Sequence, residues 1–270
     1  DDSLGLLKEI MKEQNVSAEN FPAPVTGAII SNAKNDLLTA DEYQNGAGGE
    51  FFPQTIAGIY QEYERRLKLA NAMDFDDLIF ILVRLFRRNP KALERWQDRL
   101  PYIHVDEYQD TNTSQYELLR LLASKHRNLF VIGDDAQSIY RWRKADYRNI
   151  ANFERDWPEA RVILLEENYR STPEIIAAAN ALILNNKNNK PKTLWTRNES
   201  GAMPRIRTSA SGSEEAEFIA SEIAALVREG APLKEMAVLY RTNAQSRALE
   251  EAMIGAGIPY VIIGGIRFFA

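Results

Sequence analysis

Short apolar runs alternate with amphipathic segments from residue 101 onward, and this alternation constrains the fold more than any other feature. Apolar runs of about four to eight residues are typical of buried strands, and apolar residues every three or four positions are typical of helices. Strands are predicted at 101–105, 128–132, 161–165, 204–208, 236–240 and 259–263. Helices are predicted between them at 113–125, 146–155, 173–185, 213–229 and 244–256. This order predicts an α/β fold with helices flanking parallel sheets.

The segment before this alternation is predicted to be mainly helical. Apolar residues at helical spacing predict helices at 4–11, 25–38, 56–67 and 75–88. Residues 39–52 contain glycine and asparagine and are predicted to form a loop. Asn89–Pro90 is predicted to stop one helix and to open the next, because proline fits the first turn of a helix.

The composition excludes several classes of protein. The 270 residues are enough for about two domains of ~100–200 residues each. No apolar run approaches ~18 residues, so no membrane association is expected. The absence of cysteine excludes disulfides and thiolate metal sites and fits a reducing compartment. A net charge of −5 argues mildly against a dedicated nucleic-acid binder.

One segment is basic although the net charge of the chain is negative. Residues 187–207 contain six basic side chains and one acidic side chain, Glu199. The basic residues are Lys187, Lys190, Lys192, Arg197, Arg205 and Arg207. Local charge can override net charge in attracting an anionic partner. A solvated loop is an equally good interpretation, and the sequence leaves both open.

The carboxylate segment (residues 105–112, VDEYQDTN) follows a predicted strand directly. Asp106 and Glu107 are adjacent, and Gln109 and Asp110 follow. Ligands gather at the carboxyl ends of strands in open α/β sheets. In P-loop nucleotide hydrolases an acidic residue at such a position helps to hold magnesium, and a neighbouring glutamate can activate water. The segment therefore indicates nucleotide hydrolysis.

A second polar group follows the predicted strand that ends at Ile132. Asp134, Asp135 and Gln137 come first, and Gln137 is placed to meet a terminal phosphate. The aromatic tract (residues 140–146, YRWRKAD) then alternates rings and cations, which is typical of a surface on which bases stack. The alternative is that Tyr140 and Trp142 are core aromatics, although their charged neighbours make complete burial of the tract unfavourable.

A third polar turn follows the predicted strand 161–165. Tyr169 can stack on a purine, and Arg170 can neutralise charge on a transferring phosphoryl group. The alternative for Arg170 is a surface ion pair with Glu166 or Glu167. A different class of function, a metal-dependent nuclease, would use the carboxylates Asp106, Glu107, Asp110 and Asp134, but it would leave the aromatic and arginine residues unexplained.

Six stretches, taken in order, are specific enough to indicate a family. They are MDFDDLI (73–79), VDEYQDTN (105–112), GDDAQSIYRWRKAD (133–146), LLEENYRST (164–172), KPKTLWT (190–196) and LYRTNAQSR (239–247). The chain thereby resembles the UvrD/PcrA/Rep family of superfamily 1 DNA helicases over essentially its whole length. The resemblance implies RecA-like parallel sheets of the P-loop NTPase type. Residues 1–70 would be a helical accessory insertion of the first motor domain, 71–168 the remainder of that domain, and 169–270 the N-terminal part of the second.

The resemblance also implies roles for residues that bind ATP and Mg²⁺. Asp106 would hold Mg²⁺, directly or through water, and Glu107 would activate the hydrolytic water. Gln137 would sense the γ-phosphate and couple it to DNA. Tyr169 would stack on adenine, and Arg170 would contact the γ-phosphate, with ATP lying between the two motor domains.

Five residues are expected by the same resemblance to contact DNA. Trp142 would stack on a base of single-stranded DNA, with Tyr140 and Arg143 nearby in the aromatic tract. Arg241 and Asn243 resemble a second DNA-contacting motif. Because such contacts carry little base information, binding independent of sequence is expected.

The chain departs from the family pattern in three respects. No glycine is followed by lysine, so the phosphate-binding loop G-x-x-x-x-G-K-[ST] is missing. Ala136 stands where the family usually has aspartate, which puts a metal-linked role of that position in doubt, and Lys144 stands where it usually has glycine. We therefore expect an internal part of a helicase of roughly 650–750 residues, a length taken from the family. By itself this part is expected not to hydrolyse ATP.

The expected function of the intact protein is ATP-driven 3′–5′ movement on single-stranded DNA, with unwinding of duplex at single-strand/duplex junctions. It would serve DNA repair or replication in the bacterial cytosol or nucleoid, with repair or replication proteins as further partners. Two alternatives stay open. One is the helicase subunit of a helicase–nuclease complex, and the other is a non-catalytic module that only binds DNA or partners.

Overall fold

The computed structural model describes residues 2–140, 144–146, 148–186 and 190–263. Within them the helices are α1 (Asp2–Glu13), α2 (Ala23–Asn35), α3 (Ala40–Gly46), α4 (Phe51–Leu69), α5 (Asp77–Arg88), α6 (Pro90–Arg99), α7 (Thr113–Ala123), α8 (Arg148–Ala151), α9 (Phe153–Asp156), α10 (Pro173–Ile183), α11 (Gly212–Arg228) and α12 (Ser246–Gly255). The strands are β1 (Ile103–Val105) and β2 (Leu129–Val131). None of the described helices is both long and apolar enough to cross a membrane.

Backbone contacts divide the chain into two compact units. The first comprises Asp1–Ser171 with Ile176–Asn198, and the second comprises Thr172–Ile175 with Glu199–Ala270. The domain boundaries expected from the sequence, after residues 70 and 168, stay predictions.

The N-terminal helices of the first unit form a hydrophobic core. Ile10 of α1, Ile30 of α2, and Ile56, Ile59 and Tyr60 of α4 are buried in one cluster. Each helix contributes residues spaced three or four apart, which places them on one face. The predicted helical character of this segment is confirmed.

The predicted loop at 39–52 is wrong in its first half, because α3 lies there. Thr39 Oγ1 accepts the backbone N–H of Glu42, and Glu42 Oε2 accepts the N–H of Thr39. This reciprocal capping box satisfies two donors at the start of the helix. It stabilises a helix that the glycines and asparagine of the segment disfavour. The Asn89–Pro90 boundary is confirmed, since Asn89 Oδ1 accepts the N–H of Ala92 at the start of α6.

The sheet of the described residues is a parallel pair. Ile103 pairs with Leu129 and Val105 with Val131, and α7 connects the two strands. Parallel strands need such a crossover, so β1, α7 and β2 form one βαβ unit. The predicted α/β class is confirmed, and both strands are slightly shorter than expected.

Four predicted strands are wrong in the described residues. The segments 161–165, 204–208, 236–240 and 259–263 form no strand. A strand requires a hydrogen-bonded neighbour, and these segments have no ladder there. Their apolar side chains are correspondingly exposed: Leu165 at 73%, Ile206 at 99% and Leu239 at 90%. The apolar character of these segments predicted buried strands, but without strand pairing their side chains remain exposed.

In the second unit, α11 packs against α12. Ala216 and Ala220 of α11 and Met253 of α12 are buried. Ser211 caps α11 by accepting the N–H of Glu214 at 3.2 Å. The predicted helices at 213–229 and 244–256 are confirmed to within a few residues.

Candidate nucleotide and DNA site

Polar residues follow both strands at the same edge of the sheet. Asp106 comes directly after Val105, and Asp134 follows three residues after Val131. Because Val105 pairs with Val131 in a parallel ladder, the two polar groups emerge side by side. The sheet therefore places the carboxylate segment next to the residues that lead to Gln137.

The two adjacent carboxylates, Asp106 and Glu107, are exposed at this edge. Glu107 has a left-handed backbone with φ 49°, and its N–H donates to Asp106 Oδ1 at 2.9 Å. A left-handed conformation costs a residue other than glycine ~1–2 kcal/mol. The N–H of Tyr108 donates to the Ile132 carbonyl at 2.9 Å and anchors the turn that follows. The turn leaves both carboxylates exposed at this edge.

Gln109 is a candidate site residue whose contacts the sequence does not reveal. Its side chain is 1% exposed. Its Nε2 donates to Glu107 Oε2 at 2.7 Å, and its Oε1 accepts the N–H of Asp134 at 3.0 Å. One buried amide therefore holds Glu107 and the start of the next polar segment together. Burial of Gln109 depends on contact with Gly133–Asp134, which the local sequence does not show.

Gly133 permits this close approach. A Cβ at position 133 would lie 2.7 Å from Gln109 Oε1, 2.8 Å from Ile150 Cδ1 and 3.3 Å from the backbone nitrogen of Gln109. The absence of a side chain is therefore a condition for the contact between the two polar segments.

Gln137 is held by the aspartate at the start of its segment. Its Nε2 donates to Asp134 Oδ2 at 2.8 Å. Asp134 also bonds the Lys192 ammonium and the N–H of Ala136. Burial raises the pKa of Asp134, but these hydrogen bonds outweigh it and the pKa lies below the ordinary value. Ala136 thus contributes to this group only through its backbone N–H, which donates to Asp134.

Lys192 belongs to the basic segment 187–207, and each described cation of that segment has an acidic partner. The ion pairs are Lys190–Glu154, Lys192–Asp134, Arg197–Glu167, Arg205–Glu222 and Arg207–Glu214. Lys187 lies outside the described residues. The local charge is therefore largely compensated, which favours the structural interpretation of this segment over a nucleic-acid patch.

Asp110 follows Asp106 and Glu107 in the same segment, and its charged form is disfavoured. Burial and the nearby charge of Glu107 raise its pKa, and its Oδ1 has no hydrogen-bond partner. Among the described residues, no group of three or more acidic or histidine side chains could hold a metal ion. The carboxylates do not converge as the nuclease alternative requires. A single magnesium bound largely by phosphates and water needs only one or two carboxylates, and Asp106 fits that need.

Tyr169 and Arg170 are exposed in the turn before α10. The Tyr169 hydroxyl donates to Glu167 Oε2 at 3.0 Å, and the Arg170 N–H donates to Asn168 Oδ1 at 2.9 Å. The suggested ion pair of Arg170 with Glu166 or Glu167 is not formed: Glu167 pairs with Arg197 at 3.3 Å, and Glu166 accepts the N–H of Thr193. In the ranges that the structure covers, the Arg170 guanidinium has no ion pair.

The expected DNA residues are only partly described. Trp142 and Arg143 lie outside the described residues. Tyr140 is 39% exposed, so it is not a core aromatic. It also interacts with other residues of the protein. Lys144 has a left-handed backbone with φ 64°, a conformation that glycine adopts without steric cost.

Arg241 and Asn243 lie in the second unit. Both are exposed, and Asn243 opens a short 3₁₀ turn, Asn243–Gln245. Gln245 Oε1 accepts the N–H groups of Arg241 and Thr242, both at 3.0 Å. The side chains of Arg241 and Asn243 are exposed to a ligand, and the role of these two residues in binding DNA stays a prediction.

A parallel α/β edge with an Asp-Glu pair beside an Asp-x-x-Gln turn is the arrangement expected of a nucleotide-hydrolase site. Residues 1–158 match the UvrD/REP helicase N-terminal domain, and residues 163–270 match the UvrD-like helicase C-terminal domain. The chain belongs to the UvrD/REP helicase family, which confirms the RecA-like fold class.

Individual relatives agree with this assignment. Proteins named ATP-dependent DNA helicase PcrA from Staphylococcus epidermidis and Staphylococcus aureus are each 46% identical to the chain over 268 residues. The alignment covers 99% of this chain and 37% of each relative. The chain therefore spans a little over a third of the length of these curated relatives.

Proposed function

We propose that the whole protein is an ATP-dependent DNA helicase that moves 3′–5′ on single-stranded DNA and unwinds duplex at junctions. The observation that carries the proposal is the buried Gln109 amide, which joins Glu107 to the segment of Asp134 and Gln137. A site that hydrolyses ATP in response to DNA needs such a fixed relation between its water-activating base and its phosphate sensor.

The proposed roles are those that the family resemblance implies, and the positions of the residues are compatible with them. Glu107 accepts a proton from the attacking water, because its carboxylate is exposed and oriented by Gln109. Gln137 contacts the γ-phosphate from the adjacent strand end. Arg170 stabilises negative charge on the phosphoryl group, since its guanidinium is exposed and Glu167 is engaged by Arg197. Tyr169 stacks on the adenine.

Asp106 would hold Mg²⁺, directly or through water, and its Oδ1 also accepts the Glu107 N–H. When bound, the ion supplies charge neutralisation at the phosphates. The partners would be single-stranded DNA, junctions, and repair or replication proteins in the cytosol or nucleoid. The names of the relatives support DNA as the substrate class.

The experiment is an unwinding assay on the whole protein with two matched partial duplexes. One carries a 3′ single-stranded tail and the other a 5′ tail of the same sequence. We expect ATP-dependent unwinding of the 3′-tailed duplex only. DNA binding without ATP turnover would contradict the proposal in favour of a non-catalytic module, and unwinding from the 5′ tail would contradict the polarity.

A further inference from the structure

The C-terminal end of α2 is anchored by a buried lysine. Lys34 is fully buried, and its Nζ donates hydrogen bonds to Asp74 Oδ2 at 2.7 Å and Asp77 Oδ1 at 2.8 Å. The same ammonium forms an ion pair with Glu64 Oε1 at 2.7 Å. Removing one partner from such a buried cluster is costly, so the position of α2 is rigidly defined relative to α4 and α5.

The next residue, Asn35, connects α2 to the carboxylate segment. Its Oδ1 accepts from Asn112 Nδ2 at 2.6 Å, and its Nδ2 donates to Asp76 Oδ1 at 2.9 Å. Asn112 is the residue that caps α7 and ends the carboxylate segment. The Asn35 amide therefore ties α2 to the end of the carboxylate segment through its oxygen and to the start of α5 through its nitrogen.

The residue after that, Asp36, connects α2 to the aromatic tract. Its Oδ2 pairs with Lys144 Nζ at 3.1 Å. Exposed ion pairs contribute little to stability, and a left-handed lysine is unfavourable relative to glycine. The pair therefore adds little to global stability, and it links the end of α2 to the end of the aromatic tract.

A third contact closes a ring. The N–H of Asp146 donates to the Thr111 carbonyl at 3.0 Å. The ring runs from Asp36 to Lys144, along the chain to Asp146, across to Thr111 and Asn112, and back to α2. It joins the end of the aromatic tract to the end of the carboxylate segment through two independent connections.

We propose that Asn35 and Asp36 are positioning residues that couple single-stranded DNA at the aromatic tract to ATP hydrolysis at Asp106 and Glu107. Hydrogen-bond networks between packed elements can carry such coupling. This inference rests on the proposed function. The Lys144–Asp36 connection is particular to a chain with lysine at position 144, whereas the Asn35–Asn112 connection does not depend on it.

The test compares ATP turnover of the whole protein with and without single-stranded DNA. Asn35→Ala is expected to lower the ratio of stimulated to basal turnover by about tenfold, the equivalent of one well-made hydrogen bond. Asp36→Asn, which removes one exposed charge, is expected to lower it by about two- to fivefold. Basal turnover stays within about twofold in both, because neither residue contacts the nucleotide.

Two controls separate positioning from folding. Asp41→Asn alters an exposed carboxylate of α3 that bonds Gln61 and is expected to change nothing. Asp36→Glu keeps the charge and is expected to retain stimulation. The inference is overturned if Asn35→Ala and Asp36→Asn both leave the ratio of stimulated to basal turnover unchanged. It is also overturned if basal and stimulated turnover fall equally. A wild-type protein without DNA-stimulated turnover overturns the proposed function itself, and the inference with it.

Discussion

Gln109 Nε2 donates a 2.7 Å hydrogen bond to Glu107 Oε2, and the oxygen of the same amide accepts the N–H of Asp134. The amide is buried, so water cannot replace either partner. The orientation of Glu107 therefore depends on the neighbouring strand end as well as on its own segment.

Gln109→Ala tests this dependence in the whole protein. The substitution leaves the part-buried N–H of Asp134 without its protein partner, at a cost of up to ~1–3 kcal/mol, and removes the hydrogen bond that orients Glu107. We expect maximal ATP turnover to fall ~10-fold, which corresponds to ~1.4 kcal/mol of activation free energy. Gln61→Ala, which removes a glutamine bonded to Asp41 and Gln44 on the surface, is the matched control and should have no effect. Wild-type turnover in Gln109→Ala would remove the positioning role.

Gly133→Ala should destabilise the first unit. The new Cβ would meet Gln109 Oε1 at 2.7 Å and Ile150 Cδ1 at 2.8 Å, and overpacking of this kind costs ~1–3 kcal/mol. Gly58→Ala in α4 meets nothing within 4 Å and should stabilise by ~0.5–1 kcal/mol, because alanine is the better helix former. The thermal midpoints of the two variants should thus shift in opposite directions. A midpoint of Gly133→Ala at or above the wild-type value would contradict the packing at Gly133.

The ion pair of Asp134 should give stability a specific pH dependence. The folded-state pKa of Asp134 is lowered, against the effect of burial, by bonds from Lys192, Gln137 and Ala136. A lowered pKa contributes stability above the unfolded-state value of ~3.9, and this contribution is lost as the pH falls through the folded-state value. Asp134→Asn should therefore lower the thermal midpoint at pH 7, with a difference from wild type that narrows below about pH 4.

Asp41→Asn is the control for this titration, because it changes an exposed carboxylate of α3. Its difference from wild type should be small at every pH. A difference for Asp134→Asn that is constant or grows on acidification would mean that the carboxylate is not stabilised in its charged form.

Trp142→Ala in the whole protein tests the stacking role implied by the family. Loss of one base-stacking ring should weaken single-strand binding by ~1–3 kcal/mol and reduce DNA stimulation of ATP turnover. Trp96→Ala removes a half-exposed tryptophan of α6 that lies against Arg99 and serves as the control. Equal DNA affinity of the two variants would exclude stacking on Trp142.

The sequence predicts well what local chemistry determines. Helices α4 and α5 follow from apolar spacing, and α6 from Asn89–Pro90, since caps and periodicity act within one or two turns. The exposed carboxylates after β1 were predicted because strand ends gather ligands.

Features that depend on distant partners were missed or wrong. The predicted strand 161–165 has the apolar run of a strand but no ladder in the described residues. Gln109 is separated from Asp134 by 25 positions, and Lys192 from Asp134 by 58, so neither contact leaves a local pattern. Such contacts become visible only when the elements are packed.

The most direct test of the account is ATP turnover by Glu107→Gln in the whole protein, at saturating ATP and single-stranded DNA. The amide has the shape of the carboxylate and can still bond Gln109, so only the base is lost. General-base catalysis contributes ~10²–10⁴-fold to a rate. We therefore predict turnover at least ~10²-fold below wild type with ATP binding retained. Turnover within a few-fold of wild type would contradict the assignment of Glu107 as the base that activates water.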